Sequence, residues 1–306
     1  MYEQIAANKR RSAFIIAGFV LLVLALAYVF AMATDFGAYA VPVAILIATL
    51  GSFGSYYYSD SIVLAMSRAR PVTREEYPYL YNVAEGLAIA AGLPKPRCYV
   101  IEDTAPNAFA TGRDPEHAAI VVTRGLLEKL DRAELEGVVA HEMSHIGNFD
   151  IRLAGITVVL LGMITLMSDW MLRSFWWGGG RRRSSDSGGG QLGAIFMVIG
   201  LVLAIVAPII AQLMRLAISR QREYLADSSG AFITRYPEGL ARALRKLAAD
   251  REPLEVANKA TANLYIVNPL IEHGGRVNAM FDTHPPIEER IKRLESLYVP
   301  GAEPRT

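Results

Sequence analysis

The sequence predicts a multi-pass α-helical membrane protein that carries an α+β domain outside the bilayer, and three observations lead there. Four apolar runs, residues 13–33, 38–58, 153–172 and 193–214, are each long enough to cross the hydrocarbon core of a bilayer. The stretches 61–150 and 216–306 read differently, with short strand-like runs and amphipathic helical patterns punctuated by Gly, Pro and Asp. One of those helical patterns holds His141-Glu142-Met143-Ser144-His145, a set of residues suited to a cleft. The chain therefore divides into an N-terminal transmembrane hairpin (1–60), a first soluble part (61–150), a second transmembrane or membrane-associated hairpin (151–215) and a second soluble part (216–306).

Composition narrows the class. In 306 residues, 52% are hydrophobic and the mean hydropathy is +0.26, an apolar excess concentrated in the four runs. A net charge of +1 leaves no broad basic surface for nucleic acid. The single cysteine, Cys98, excludes an intramolecular disulfide and fits a small core residue in a strand.

In chain order, Lys9-Arg10-Arg11 precede the first run, and Arg68, Arg70 and Arg74 follow the second. The loop between these runs has no Lys or Arg, so both charge asymmetries put residues 60–150 in the cytoplasm. A signal peptide fits poorly, because the first run is long, lacks a small-residue cleavage site and is followed almost at once by a second. Thr73 and Glu76 form a capping-box pattern for a helix running to Ala91, which Gly92 and Pro94 end. Strand-like runs at 97–102, 107–111 and 118–123 predict a small antiparallel sheet. Asp131 and Glu134 cap a helix over 132–147 whose Leu135, Val138, Val139 and Ile146 pack on that sheet. Residues 178–190, rich in Gly, Ser and Arg, read as a flexible loop, and Trp170, Trp176 and Trp177 beside it read as interfacial anchors. Further helices are predicted over 218–231, 237–249 and 286–297.

His141 and His145 are four apart, so on a helix they share a face and can hold one zinc ion, with Glu142 beside the activated water as general base and acid. A catalytic zinc takes three protein ligands. A third histidine in the pattern H-E-x-x-H-x-x-G-x-x-H is excluded, because Asn148 and Ile151 stand at those positions. A glutamate on another helix is the natural alternative. Glu223 and Asp227, also four apart, fit a third ligand and a carboxylate that accepts a ligand imidazole N–H, although an ordinary charged helix face has the same spacing.

These residues resemble the HtpX-type integral-membrane zinc metallopeptidases, relatives of the CAAX prenyl proteases. The resemblance rests on His141 to His145, on the segment from Ser219 to Asp227, on Asn107-Ala108-Phe109-Ala110, and on Thr283-His284-Pro285-Pro286 with Arg290. It implies a zincin-like (gluzincin) domain with one catalytic Zn2+ held by His141, His145 and Glu223, and Asp227 behind them. It also implies that Asn107, Ala108, Phe109 and Ala110 form an edge strand to which substrate backbone adds. His284 would donate to the oxyanion, where a capping or surface histidine is the plainer alternative. Arg290 is expected to pair with a carboxylate, and His117 and His273 receive no role.

The function expected is zinc-dependent endopeptidase action on misfolded or membrane proteins at the cytoplasmic face of the cell membrane. A prenyl-protein peptidase and a catalytically silent membrane scaffold are the alternatives. The resemblance also implies a functional link to an ATP-dependent membrane protease. The chain carries no G-x-x-x-x-G-K-[ST] nucleotide motif of its own. Because His145 and Glu223 must meet at one ion, the chain between them must cross the bilayer zero or two times, which the runs at 153–172 and 193–214 satisfy as a hairpin, and their lengths favour spanning. Full spanning would leave Arg173 and Arg181 to Arg183 outside, against the positive-inside tendency.

Overall fold

The structure, a computed structural model, describes residues 2–33, 37–178, 198, 202, 220–257, 261–269 and 285–297. His273, His284, the loop at 178–190 beyond Gly178 and nearly all of the run at 193–214 lie outside those residues, as do the side chains of Trp170, Trp176 and Trp177. The chain forms two compact units, one of Met1–Lys9, Ser59–Gly155 and Ile218–Thr306, the other of Arg10–Tyr58 and Ile156–Ala217.

The first unit holds a four-stranded sheet of β1 (Arg70–Pro71), β2 (Arg97–Ile101), β3 (Ala108–Thr111) and β4 (Ala119–Thr123) in the order β1-β2-β4-β3. The sheet is mixed, which corrects the expected antiparallel one. β1 pairs antiparallel with β2 and β3 antiparallel with β4, whereas β2 and β4 run parallel from Arg97↔Ala119 to Ile101↔Thr123. β4, apolar and buried along its whole length, takes the central place with a partner on each side. β3 folds back against it and is displaced to the edge.

Helix α3 (Ser59–Met66) precedes the sheet, and α4 (Pro78–Ala91) follows β1. α4 starts later than the 73–91 expected. Thr73 and Glu76 do exchange their reciprocal hydrogen bonds, at 3.1 and 3.4 Å, but these close a turn. Tyr77 lies before Pro78, where the helical backbone region is disfavoured, and Pro78 suits the first helical turn because it has no N–H to leave unpaired. Gly92 ends α4 at φ +65, its N–H donating to Ala88 and Ile89. A short helix that the sequence pattern did not reveal, α5 (Arg124–Lys129), is capped by the Thr123 hydroxyl.

α6 (Arg132–Gly147) runs through the core, capped as expected by the reciprocal Asp131 and Glu134 box at 3.0 and 2.8 Å. Leu135, Val138, Val139 and Ile146 are fully buried among side chains of the sheet and of α4. α8 (Arg220–Thr234) and α9 (Pro237–Ala249) pack on the same helix, reached at two glycines. A Cβ on Gly137 would meet the Leu240 nitrogen at 2.5 Å, and one on Gly230 would meet the His141 nitrogen at 3.0 Å. α10 (Ile287–Ser296) closes the unit through buried Arg290 and Leu294. Helix α7 (Asp150–Gly178) begins here, one turn after α6.

The second unit is helical, comprising most of α1 (Tyr2–Ala33), α2 (Gly37–Tyr57) and α7 from Ile156 onward. Phe19, Val23, Ala48, Ile156, Leu160 and Ile164 make its small core. Phe14, Leu21, Ile45, Leu46, Leu50 and Leu166 face outward. Among the described residues no single helix is long and apolar enough to cross a membrane.

Candidate metal centre

α6 presents His141, Glu142 and His145 along one side, and α8 crosses it closely enough at Gly230 to bring Glu223 and Asp227 opposite. The two Nε2 atoms lie 3.2 Å apart, and Glu223 oxygens stand 3.7 Å from His141 Nε2 and 3.6 Å from His145 Nε2. These three ligand atoms all lie within 4.8 Å of one another. Tetrahedral zinc with bonds of about 2.0–2.1 Å sets its ligand atoms about 3.3 Å apart, so the donors fit that ion.

The remaining nitrogens of both imidazoles are engaged. His141 Nδ1 lies 3.0 Å from Asp227 Oδ1, and His145 Nδ1 lies 3.0 Å from Asp150 Oδ2. Each carboxylate fixes the tautomer in which Nδ1 carries the proton and Nε2 keeps its lone pair for a metal. Asp227 is itself gripped by the fully buried Arg290, whose Nε and Nη2 donate to its two oxygens at 2.9 and 2.7 Å. Arg290 therefore pairs with a carboxylate, as expected from the sequence, and binds α10 to the centre.

Charge agrees with the donor set. Among the described residues, the acidic Glu142, Asp150, Glu223 and Asp227 outnumber the basic Arg222 and Arg290 here, which favours a cation. Burial pushes the Glu142 carboxyl up; His141 and His145 oppose that, and the neighbouring Glu223 adds to it. Burial alone would lower His145, but the hydrogen bond to Asp150 and the charge of Glu223 outweigh it and raise the imidazole to about 9. Burial would likewise raise Asp227, yet Arg290 and the His141 bond hold it at about 2.

The cleft lined by His141, Glu142, His145, Glu223, Ala110 and Ile266 encloses about 50 Å³. That volume admits a few waters. Glu142 accepts a hydrogen bond from the Ala110 backbone N–H. β3 is an edge strand of the sheet, and its outward-facing groups are partly occupied. Ile266 N–H donates to the Ala108 carbonyl at 2.9 Å, and the Asn107 side chain donates to the Val267 carbonyl at 3.0 Å. Phe109 is buried edge-on against Tyr265, ring centroids 4.9 Å apart. The structure thus brings together His141, Glu142, His145, Glu223, Asp227 and Ala110; His284 lies outside the described residues. His117 is exposed beside Asp114, away from the centre.

Asp150 was not foreseen. It follows α6 after a break, so no helical spacing links it to His145; its one signal was an acidic residue at the start of the next helix.

The sequence matches Peptidase family M48 over residues 74–298. It is 48% identical over 296 residues to a protein of Dictyoglomus turgidum named Protease HtpX homolog, covering 97% of this chain and 94% of that one. A protein of the same name from Thermoanaerobacter pseudethanolicus is 48% identical over 297 residues, covering 97% and 98%. Among solved structures, that of S. mikatae Ste24p aligns with a TM-score of 0.47 at 22% identity, covering 96% of this chain and 67% of that one. With a family match over most of its length and near-full-length relatives, the chain belongs to peptidase family M48 and is a metalloprotease.

Proposed function

We propose that this protein is a zinc-dependent endopeptidase of the cell membrane, acting on misfolded or membrane proteins at the cytoplasmic surface. The observation that carries the reading is the pair of imidazoles on α6 that converge with Glu223, each backed by its own carboxylate, with Glu142 beside them. Zinc fits the donors because two imidazoles and one carboxylate leave a fourth tetrahedral position for solvent or substrate.

A bound zinc ion supplies Lewis acidity, polarising the scissile carbonyl and acidifying water in the open position. Glu142 takes the proton of the attacking water and delivers it to the departing amine nitrogen. Its upward-shifted carboxyl suits both roles. The Ala110 N–H steadies the carboxylate between the two transfers. Asp227 and Asp150 engage the Nδ1 atoms of His141 and His145, which orients each Nε2 toward the metal position. His284, just upstream of the α10 arginine that reaches the centre, is assigned to the developing oxyanion.

Substrate enters as an added strand at the β3 edge, beginning at Ala110 where the cleft opens. Pairing along the whole of Asn107 to Ala110 requires residues 265–267 to move aside, since they occupy Asn107 and Ala108. Membrane association is supported by the four apolar runs and by the outward-facing Phe14, Leu21, Ile45, Leu46 and Leu50. The reading is tested by stripping metal with a chelator from detergent-purified protein: cleavage of an unfolded polypeptide should stop, and zinc should restore it. Undiminished cleavage by metal-free protein contradicts it.

A further inference from the structure

The turn between α6 and α7 needs outside support. Phe149 sits at φ +61, a left-handed backbone conformation that residues other than glycine rarely adopt. The next residue, Asp150, must then meet His145. Support comes from the far end of the sequence. Asn8 is fully buried, and its Nδ2 donates to the Asn148 carbonyl at 2.9 Å and to Asp150 Oδ1 at 2.7 Å. Its Oδ1 accepts from Arg222 Nη1 at 3.0 Å, and the same guanidinium nitrogen donates to Asp150 Oδ1 at 2.9 Å.

Only this orientation of the Asn8 amide gives a donor to every acceptor. Lys9 adds to the hold, its ammonium 4.5 Å from the centre of the Phe149 ring, on which the Arg152 guanidinium also lies at 4.8 Å. Asn8 and Arg222 together take Asp150 Oδ1, which turns Oδ2 toward His145 Nδ1.

We propose that Asn8 and Arg222 are positioning residues of the metal centre, acting through Asp150 to orient His145, so that the N-terminal end of α1 completes the peptidase site. The inference rests on His145 being a metal ligand. Without Asn8, Asp150 loses a charge-assisted hydrogen bond and the turn loses its tie at Asn148. The carboxylate is then free to rotate off His145, and the imidazole loses its fixed tautomer and orientation. Removing such an outer carboxylate typically weakens metal binding 10- to 100-fold. The N-terminal segment thus serves the active site as well as the membrane.

The test measures zinc affinity of the full-length protein in detergent by competition with a chromophoric chelator, with thermal unfolding of each metal-free form recorded beside it. Asp150→Ala should weaken zinc binding roughly 10- to 100-fold, and Asn8→Leu on the order of fivefold or more. Because Asn8 acts through Asp150, the double variant should bind zinc within about twofold of Asp150→Ala alone. A purely structural role for Asn8 would lower the unfolding temperature while leaving zinc affinity unchanged. Asn8→Asp keeps the side-chain shape and the Arg222 contact but sets a carboxylate against Asp150, so it should weaken zinc binding even if Asn8→Leu does not fold. Zinc affinity within twofold of the parent in the folded Asn8 variants, or additive losses in the double variant, overturns the relay. A parent that binds no zinc removes the metal-centre reading itself, and the relay with it.

Discussion

His141 and His145 share a helix face and a task, yet their supports differ in legibility. Asp227 could be read from the sequence because it lies one helical turn from Glu223, and regular spacing predicts a shared face. Asp150 and Asn8 could not be read as members of the centre, and for Arg290 only a carboxylate partner was expected without saying which, since each arrives through tertiary packing from a separate element. Arg290 is fully buried, and its charge is balanced inside the protein by Asp227 and Glu223. Removing one partner of a buried ion pair leaves the other uncompensated, at a cost of about 3–5 kcal/mol. We therefore expect Arg290→Met to destabilise the metal-free protein by about that much in chemical denaturation. A loss below about 1 kcal/mol would show that water reaches Asp227.

Helices were more legible than the sheet. α6, with a capping box at Asp131 and Glu134 and a clean apolar spacing, has the bounds expected of it. α4 does not, because the same box at Thr73 and Glu76 precedes Pro78 and closes a turn instead. Strand positions followed from apolar runs, whereas strand order did not. Nothing local in β4 says that it will sit between β2 and β3, except that both of its faces are apolar. Close helix contact was likewise hidden in single glycines. Gly230→Ala places a methyl 3.0 Å from the His141 nitrogen, so α8 must retreat by a few tenths of an ångström and carry Glu223 with it. We expect a clear loss of zinc affinity from it, and none from Gly86→Ala in α4, where an added methyl meets nothing within 4 Å. Equal zinc affinity in the two variants would show that α8 has slack at this crossing.

The whole chain is written twice in its hydropathy. Long apolar runs give one compact unit, and periodic, capped segments give the other, interleaved along the sequence. The expected hairpin of 153–172 and 193–214 carries a topological consequence that labelling can reach. Cys98 is buried, and burial pushes its thiol up to about 11, so it stays silent toward thiol reagents near neutral pH. A cysteine placed at Ser185, outside the described residues, would then be the one reactive thiol. Spanning predicts its modification by an impermeant reagent applied to intact cells, and protection there would mean a shallow hairpin on the cytoplasmic side.

All of this depends on one ion held by His141, His145 and Glu223 with Glu142 as the proton carrier. Metal content and proteolysis measured on the same purified sample address that arrangement, using the parent, Glu142→Gln and Glu223→Ala. We expect stoichiometric zinc and cleavage in the parent, zinc without cleavage in Glu142→Gln, and loss of both in Glu223→Ala. Cleavage by Glu142→Gln at the parental rate, or full zinc in Glu223→Ala, would contradict the assignment.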